Sequence, residues 1–212
     1  MAAKTEKYLY KKWEEEFNEQ VKNGERERLA EEKFNRPIKT FLEQEFGQNI
    51  GEKILDVGSG LYSETYLPEG HEIYRIDWLP QIDKKENSYV CNVESMPFEE
   101  NMFGIVLSKQ VYGSLLNPEK CLDEMARVLK PNGLLIIIDW KGNLKGDDFR
   151  VEDFEPERVA NKIETMSLKI IKIEQLMERR VVIKNVMKNA YLTAIVARKN
   201  SEMPSRIDLL EF

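Results

Sequence analysis

The chain has 212 residues, 42% hydrophobic and 33% charged, with a formal net charge of −6. That composition fits one folded domain of ordinary size with some length left for a cap. Basic residues are scattered among acids, which argues against a general nucleic-acid binder and leaves a local basic pocket open. Cys91 and Cys121 lie far apart in apolar settings and His71 is the only histidine, so reduced thiols and no metal site are expected. The amino terminus has no apolar core behind a basic start, and no run approaches the ~20 apolar residues of a membrane span. A cytoplasmic protein with no membrane partner is the expectation.

Residues 3 to about 47 read as helix. Tyr10, Trp13, Phe17 and Val21 share one face, and Asn23-Gly24 looks like a stop. A second helix is expected over Arg28 to Phe34. A third should begin near Pro37, with Ile38, Phe41, Leu42 and Phe46 as its apolar face before Gly47.

From residue 53 the pattern alternates between strand and helix. Lys53 to Val57 is a short apolar run that enters the turn Gly58-Ser59-Gly60, followed by room for only a short helix, Leu61 to Leu67. Strands are expected at Glu72 to Asp77, Tyr89 to Cys91 and Phe103 to Ser108. An amphipathic helix, Pro118 to Lys130, turns its Cys121, Leu122, Met125 and Leu129 inward. It stops at Pro131-Asn132-Gly133, before the most hydrophobic strand, Leu134 to Asp139. After a helix from Glu155 to Met166, strands at Leu168 to Met177, Val181 to Val186 and Tyr191 to Ala197 suggest an antiparallel addition at the sheet edge. The expected fold is α/β, a doubly wound, mostly parallel, Rossmann-like sheet of seven strands with an antiparallel carboxyl-terminal addition and an amino-terminal helical cap. The expected division is cap 1–50, ligand-binding domain 51–200 and tail 201–212.

A strand that ends in a glycine turn should present free backbone N–H groups to a ligand at the sheet's carboxyl edge. Which ligand follows from what flanks the turn. A dinucleotide fingerprint needs a third glycine, where this chain has Ser63, and the lysine of a P-loop is missing. Asp56, two residues ahead of the first glycine, would repel a diphosphate and suit a cationic ammonium group. A cation-bearing nucleoside is therefore favoured over a dinucleotide.

Over roughly Lys53 to Trp140 the chain resembles the class I S-adenosylmethionine-dependent methyltransferases, within their broad small-molecule group. Leu55-Asp56-Val57-Gly58-Ser59-Gly60 is similar to the first motif, whose turn holds the cofactor's methionine portion. Asp77 stands where the family places an acid on the ribose hydroxyls, with Trp78 beside it. Asn92-Val93-Glu94-Ser95-Met96-Pro97-Phe98 resembles the adenine loop, with Asn92 in place of the usual Asp. Leu122-x-x-Met125-x-Arg127-Val128-Leu129-Lys130-Pro131-x-Gly133 is similar to the later block. The resemblance implies S-adenosyl-L-methionine as cofactor, held by Asp56, Gly58, Ser59, Gly60, Asp77, Trp78, Asn92, Val93 and Ser108. Asp56 has a second reading, as a structural acid that fastens the loop.

Lys109 and Gln110 follow the fourth strand and should line the cleft towards a small-molecule substrate. Trp140 closes the central strand, and the family's lid helices would bring Tyr10 or Trp13 to the same place. Arg179, Arg180, Lys184 and Lys188 read as a solvated face. The sequence departs from the family at Tyr62, Gly104 and Gly113-Ser114, the last removing a histidine that some members keep near the reacting centre. Tyr112 and Asp139 remain the candidates for a base. The departures also allow a rival, a catalytically inactive methyltransferase-like binding or regulatory protein.

Overall fold

The structure, a computed structural model, describes residues 2–47, 51–142, 153–183 and 186–201. The elements run α1 (Ala2–Phe46), β1 (Lys53–Val57), β2 (Glu72–Asp77), β3 (Ser88–Val90), β4 (Phe103–Lys109), α2 (Pro118–Val128), β5 (Leu129–Lys141), α3 (Pro156–Glu164), β6 (Leu168–Ile183) and β7 (Val186–Lys199). The seven strands form one sheet in the order β3-β2-β1-β4-β5-β7-β6. The first five are parallel, β7 runs antiparallel to β5, and β6 antiparallel to β7. Strand order therefore reverses between β1 and β4, which opens a crevice at their carboxyl ends.

Both faces of the sheet are covered, because every second residue of a buried strand points the opposite way. Ile54, Ile105, Leu107, Ile136 and Ile138 pack under Ile38, Phe41, Leu42 and Phe46 of α1. Leu55, Val57, Val106, Leu135 and Ile137 pack against α2 and α3 through Cys121, Leu122, Met125, Val159 and Ile163. The inward face expected for α2 is buried as anticipated. Cys121 is buried, Cys91 only half-buried, and both are free thiols.

Four expectations need correction. The amino-terminal segment α1 breaks at Gly24 (φ 44°, ψ −112°), as the Asn23-Gly24 stop anticipates, but the second and third helices expected beyond it are one, with Pro37 inside it. A proline inside a helix costs about 3 kcal/mol, whereas burying each of the four apolar residues just beyond it gains about 1.5–3 kcal/mol. Burial wins, and the freed carbonyl belongs to exposed Lys33. Next, α2 ends at Val128 and β5 already starts at Leu129. Pro131-Asn132-Gly133 survives as an irregularity in β5, where the pairing steps from Phe103↔Leu129 to Ile105↔Leu134. The three carboxyl-terminal strands are two long ones. Val181 to Ile183 continues β6, and β7 begins at Val186. Lastly, the short helix after the glycine turn shrinks to a single 3-10 turn, Ser63–Thr65.

Candidate functional site

Gly58 (φ 69°) and Gly60 (φ 57°) take left-handed angles at the end of β1, a conformation open to glycine at little cost. A Cβ at Gly58 would come within 2.2 Å of Val111 Cγ2, whereas one at Gly60 would meet nothing within 4 Å. The N–H groups of this turn are not free. Those of Gly58 and Ser59 donate to the Ile76 carbonyl at 2.8 and 3.1 Å, and that of Gly60 to Asp77 Oδ2 at 2.9 Å. Since β1 and β2 are in register at Val57↔Ile76, the turn bends across the end of β2 and spends its donors there. A ligand meets this turn on the open side of Gly60.

Asp77 is buried, and its other oxygen accepts from Leu79 N at 3.1 Å. Burial pushes its pKa up, against the pull of the Gly60, Leu79 and Trp78 amides. Of the roughly four acceptor sites of a carboxylate this leaves one for a further donor such as a ribose hydroxyl. Beside it, half-buried Trp78 packs with Leu61, Leu79 and Ile82.

Asp56 is wholly buried on the α1 face. The Tyr66 hydroxyl donates to its Oδ2 at 2.7 Å, while Oδ1 has no hydrogen-bond partner. Burial pushes the Asp56 pKa up to about 6, opposed by the Tyr66 bond and by the charges of Lys109 and Arg75. Tyr66 thus supplies the fastening that the structural reading of Asp56 requires. No motif marked Tyr66; only the need of a buried carboxylate for a donor pointed to it.

The 92–98 loop is held from behind. Asn92 is exposed and its side-chain oxygen accepts from Glu94 N at 2.9 Å, closing a local turn; Val93 is half-buried against the core. Met96 N donates to Glu124 at 2.7 Å, while Arg127 donates to the Phe98 and Met96 carbonyls at 2.7 and 3.1 Å. Arg127 and Glu124 are themselves paired at 2.6 Å. Two of the sequence blocks are therefore one mechanical unit, in which α2 clamps the loop after β3.

At the end of β4, Ser108 is buried between Val57 and Ile137, and Lys109 and Gln110 reach the crevice edge. Gln110 has φ 60°, and its N–H donates to the Ile138 carbonyl at 2.7 Å. Tyr112 is buried edge-on to Phe154, with ring centroids 5.6 Å apart. Asp139 is buried and accepts from Gly113 N at 2.9 Å and Trp140 N at 2.6 Å, so it pins the loop after β4. Trp140 is half-buried, 6.1 Å from the ring of Phe34. The side chains of Tyr10 and Trp13 lie outside the described residues, as does Lys184.

Of the three departures, Gly104 sits at the amino end of β4, where the Glu52 carboxylate fills the space a Cβ would need. It lies at the sheet edge opposite the crevice. Tyr62 donates to the Gly24 carbonyl at 3.4 Å, joining the glycine turn to the bend of α1. His71 is also at the far edge, with Nδ1 3.3 Å from the Glu52 carbonyl and its ring against Phe46.

A seven-stranded, mostly parallel sheet with its crevice at the β1/β4 switch point defines a Rossmann-like α/β domain. Residues 55–137 match the methyltransferase-domain family. The chain is 28% identical over 100 residues to the demethylmenaquinone methyltransferase of Paenarthrobacter aurescens, covering 43% of this chain and 40% of that protein. It is 27% identical over 146 residues to the ubiquinone/menaquinone biosynthesis C-methyltransferase UbiE of Cupriavidus taiwanensis, covering 58% of this chain and 60% of the relative. The chain thus spans about half the length of these relatives. Among solved structures, the Burkholderia thailandensis 1,6-didemethyltoxoflavin-N1-methyltransferase with bound 1,6-didemethyltoxoflavin and S-adenosylhomocysteine superposes with a TM-score of 0.59 at 17% identity, covering 87% of each chain. The fold and the matched stretch thus make residues 55–137 similar to a methyltransferase domain.

Proposed function

We propose that the protein transfers a methyl group from S-adenosyl-L-methionine to a small-molecule acceptor, and that the acceptor is an aromatic compound of the quinol type. One observation carries the methyl-transfer reading. The Asp77 carboxylate closes β2 directly beside the open side of Gly60, across the switch point from β4. That set of groups suits the cofactor: a buried acid with room for a ribose hydroxyl, a glycine turn that admits close approach, and no lysine or arginine within ion-pair distance of Asp77 among the described residues. The names of the quinone-modifying relatives support the acceptor class.

When bound, the cofactor supplies an electrophilic methyl on a sulfonium. Asp77 fixes the ribose, Asn92 and Val93 receive the adenine, and the Arg127–Glu124 clamp keeps that loop in place. Orientation of this kind can supply much of the rate for an in-line displacement. With His71 at the opposite edge and Asp139 bound to two backbone amides, the site offers no imidazole base. It therefore suits an acceptor that ionises readily. The rival reading, a non-catalytic module, loses the support of Gly104, which lies away from the crevice.

Calorimetric titration with S-adenosylhomocysteine tests the proposal. Wild-type protein should bind, and Asp77→Ala should weaken binding roughly 10- to 100-fold, the scale of a charge-assisted hydrogen-bond pair. No binding to the wild type sinks the reading. Binding without turnover on any quinol, phenol or amine acceptor leaves the rival in possession.

A further inference from the structure

We propose that Lys109 is the oxyanion-binding residue of the crevice, its ammonium holding an ionised oxygen that comes from an acidic acceptor or from the carboxylate of the cofactor's methionine end. The inference rests on the methyl-transfer reading and adds the charge of the group that the site selects.

Lys109 closes β4 beside the switch point, and the groups in direct contact with its Nζ are all uncharged. Gln110 Oε1 lies at 3.1 Å, Asn35 Oδ1 at 3.4 Å and the centre of the Tyr66 ring at 4.6 Å. No carboxylate among the described residues comes within 4.0 Å of it. Lys109 is half-buried with no carboxylate in contact, so its charge is balanced only at longer range, by the fields of Glu31, Asp56 and Asp139. Its pKa is lowered by burial, with Glu31, Asp56 and Asp139 acting to raise it.

The cage around it is built. Asn35 donates through its amide nitrogen to Thr65 Oγ1 at 2.7 Å and to Glu31 at 3.1 Å, which turns its oxygen towards Lys109. Gln110 reaches the ammonium from a left-handed backbone (φ 60°), a conformation uncommon outside glycine and concentrated at functional positions. The acids nearby make their hydrogen bonds elsewhere: Asp56 to Tyr66 through one oxygen only, Asp139 to the amides of Gly113 and Trp140, and Glu31 to Asn35. They sustain the charge without quenching it. If fastening α1 to the sheet were the task of Lys109, an apolar side chain against the Tyr66 ring would do so at lower cost.

The test uses the full chain, with Lys109→Met and with Lys109→Arg as the charge-retaining control. S-adenosylhomocysteine and 5′-methylthioadenosine, which lacks the amino-acid end, are titrated into each protein. 4-Nitrophenol is titrated with pH in the presence of each protein, with and without S-adenosylhomocysteine, and its phenolate absorbance is read. If the oxyanion is the cofactor's, Lys109→Met weakens S-adenosylhomocysteine tenfold or more and leaves 5′-methylthioadenosine within twofold. If it is the acceptor's, both nucleosides bind as in the wild type, while the acid shift of bound 4-nitrophenol disappears in Lys109→Met and persists in Lys109→Arg. The assignment is overturned if 4-nitrophenol titrates as in buffer with every protein and the ratio of the two nucleoside affinities is the same in wild type and Lys109→Met. It is also overturned if Lys109→Met loses both nucleosides equally along with a lower melting temperature. Failure of the wild type to bind S-adenosylhomocysteine instead counts against the methyl-transfer reading, and the phenolate titration without cofactor still decides Lys109.

Discussion

Two lysines are held at opposite edges of the same sheet, and their surroundings differ. At the amino edge, Lys199 donates to the Leu129 carbonyl at 2.7 Å, the Ala126 carbonyl at 2.8 Å and Asn101 Oδ1 at 3.0 Å. Three protons meet three acceptors, two of them carbonyls that the end of α2 leaves open. At the carboxyl edge, Lys109 has two amide oxygens, one of them distant, and a ring face. Burial lowers the pKa of both. Burial and titration therefore say nothing about which lysine is functional; the partner set does. A fold completes the polar groups it uses for itself and leaves less complete those that a ligand will meet.

The sharpest way to break this contrast is to remove each ammonium in turn. Lys199→Met leaves the Ala126 and Leu129 carbonyls without their donor, and buried unsatisfied groups cost about 1–3 kcal/mol each. A loss of roughly 2–4 kcal/mol is expected in urea unfolding, with S-adenosylhomocysteine affinity unchanged. Lys109→Met should cost less, about 1–2 kcal/mol, because only one of its partners, Asn35 Oδ1, is fully buried and that bond is long at 3.4 Å, while half-buried Gln110 can turn to water. Equal losses at the two positions would mean that both lysines are structural.

A second test concerns the other incomplete group of the carboxyl edge, Asp56. Its folded pKa of about 6 lies above the unfolded value of about 3.9. Between these two pH values the folded state holds more protons than the unfolded one, so stability falls as pH rises from about 4 to about 6 and is level above. The shift corresponds to roughly 2–3 kcal/mol. Asp56→Asn removes the titration while keeping an acceptor for Tyr66. Its stability relative to wild type should therefore improve by about that amount as pH climbs through this window. A pH-independent difference would show that Asp56 is ionised at no cost, and the edge would be less strained than its geometry implies.

Much of this was legible in the chain. The central strands announce themselves as apolar runs bounded by turn residues, and β2 has the expected limits, Glu72 to Asp77. Asp77 could be placed because its position at a strand end is a local fact. What escaped depends on contacts distant in sequence. The continuity of α1 through Pro37 is decided by the sheet surface beneath it. The donors of the glycine turn are consumed by the end of β2, eighteen residues on at Ile76 from Gly58. Asn35, seventy-four residues from Lys109, belongs to no motif and enters the crevice only because α1 lies across it. The clamp of Arg127 on the Phe98 and Met96 carbonyls was visible as a sequence block, but its purpose was not.

The smallest effect is expected at the residue that seemed most doubtful, Tyr62, which stands in the family's glycine position. Its hydroxyl is part-buried and 3.4 Å from the Gly24 carbonyl, a long bond that water can replace. Tyr62→Phe should therefore cost about 0.5 kcal/mol or less and leave S-adenosylhomocysteine affinity within about twofold. The backbone of the turn, with its Gly60–Asp77 bond at 2.9 Å, is expected to carry the grip rather than this hydroxyl. A tenfold loss of affinity on removing this one hydroxyl would reverse that order. The bend of α1 at Gly24 would then be coupled to the glycine turn, and the incomplete polar set of the carboxyl edge would extend from Lys109 to the helix that covers it.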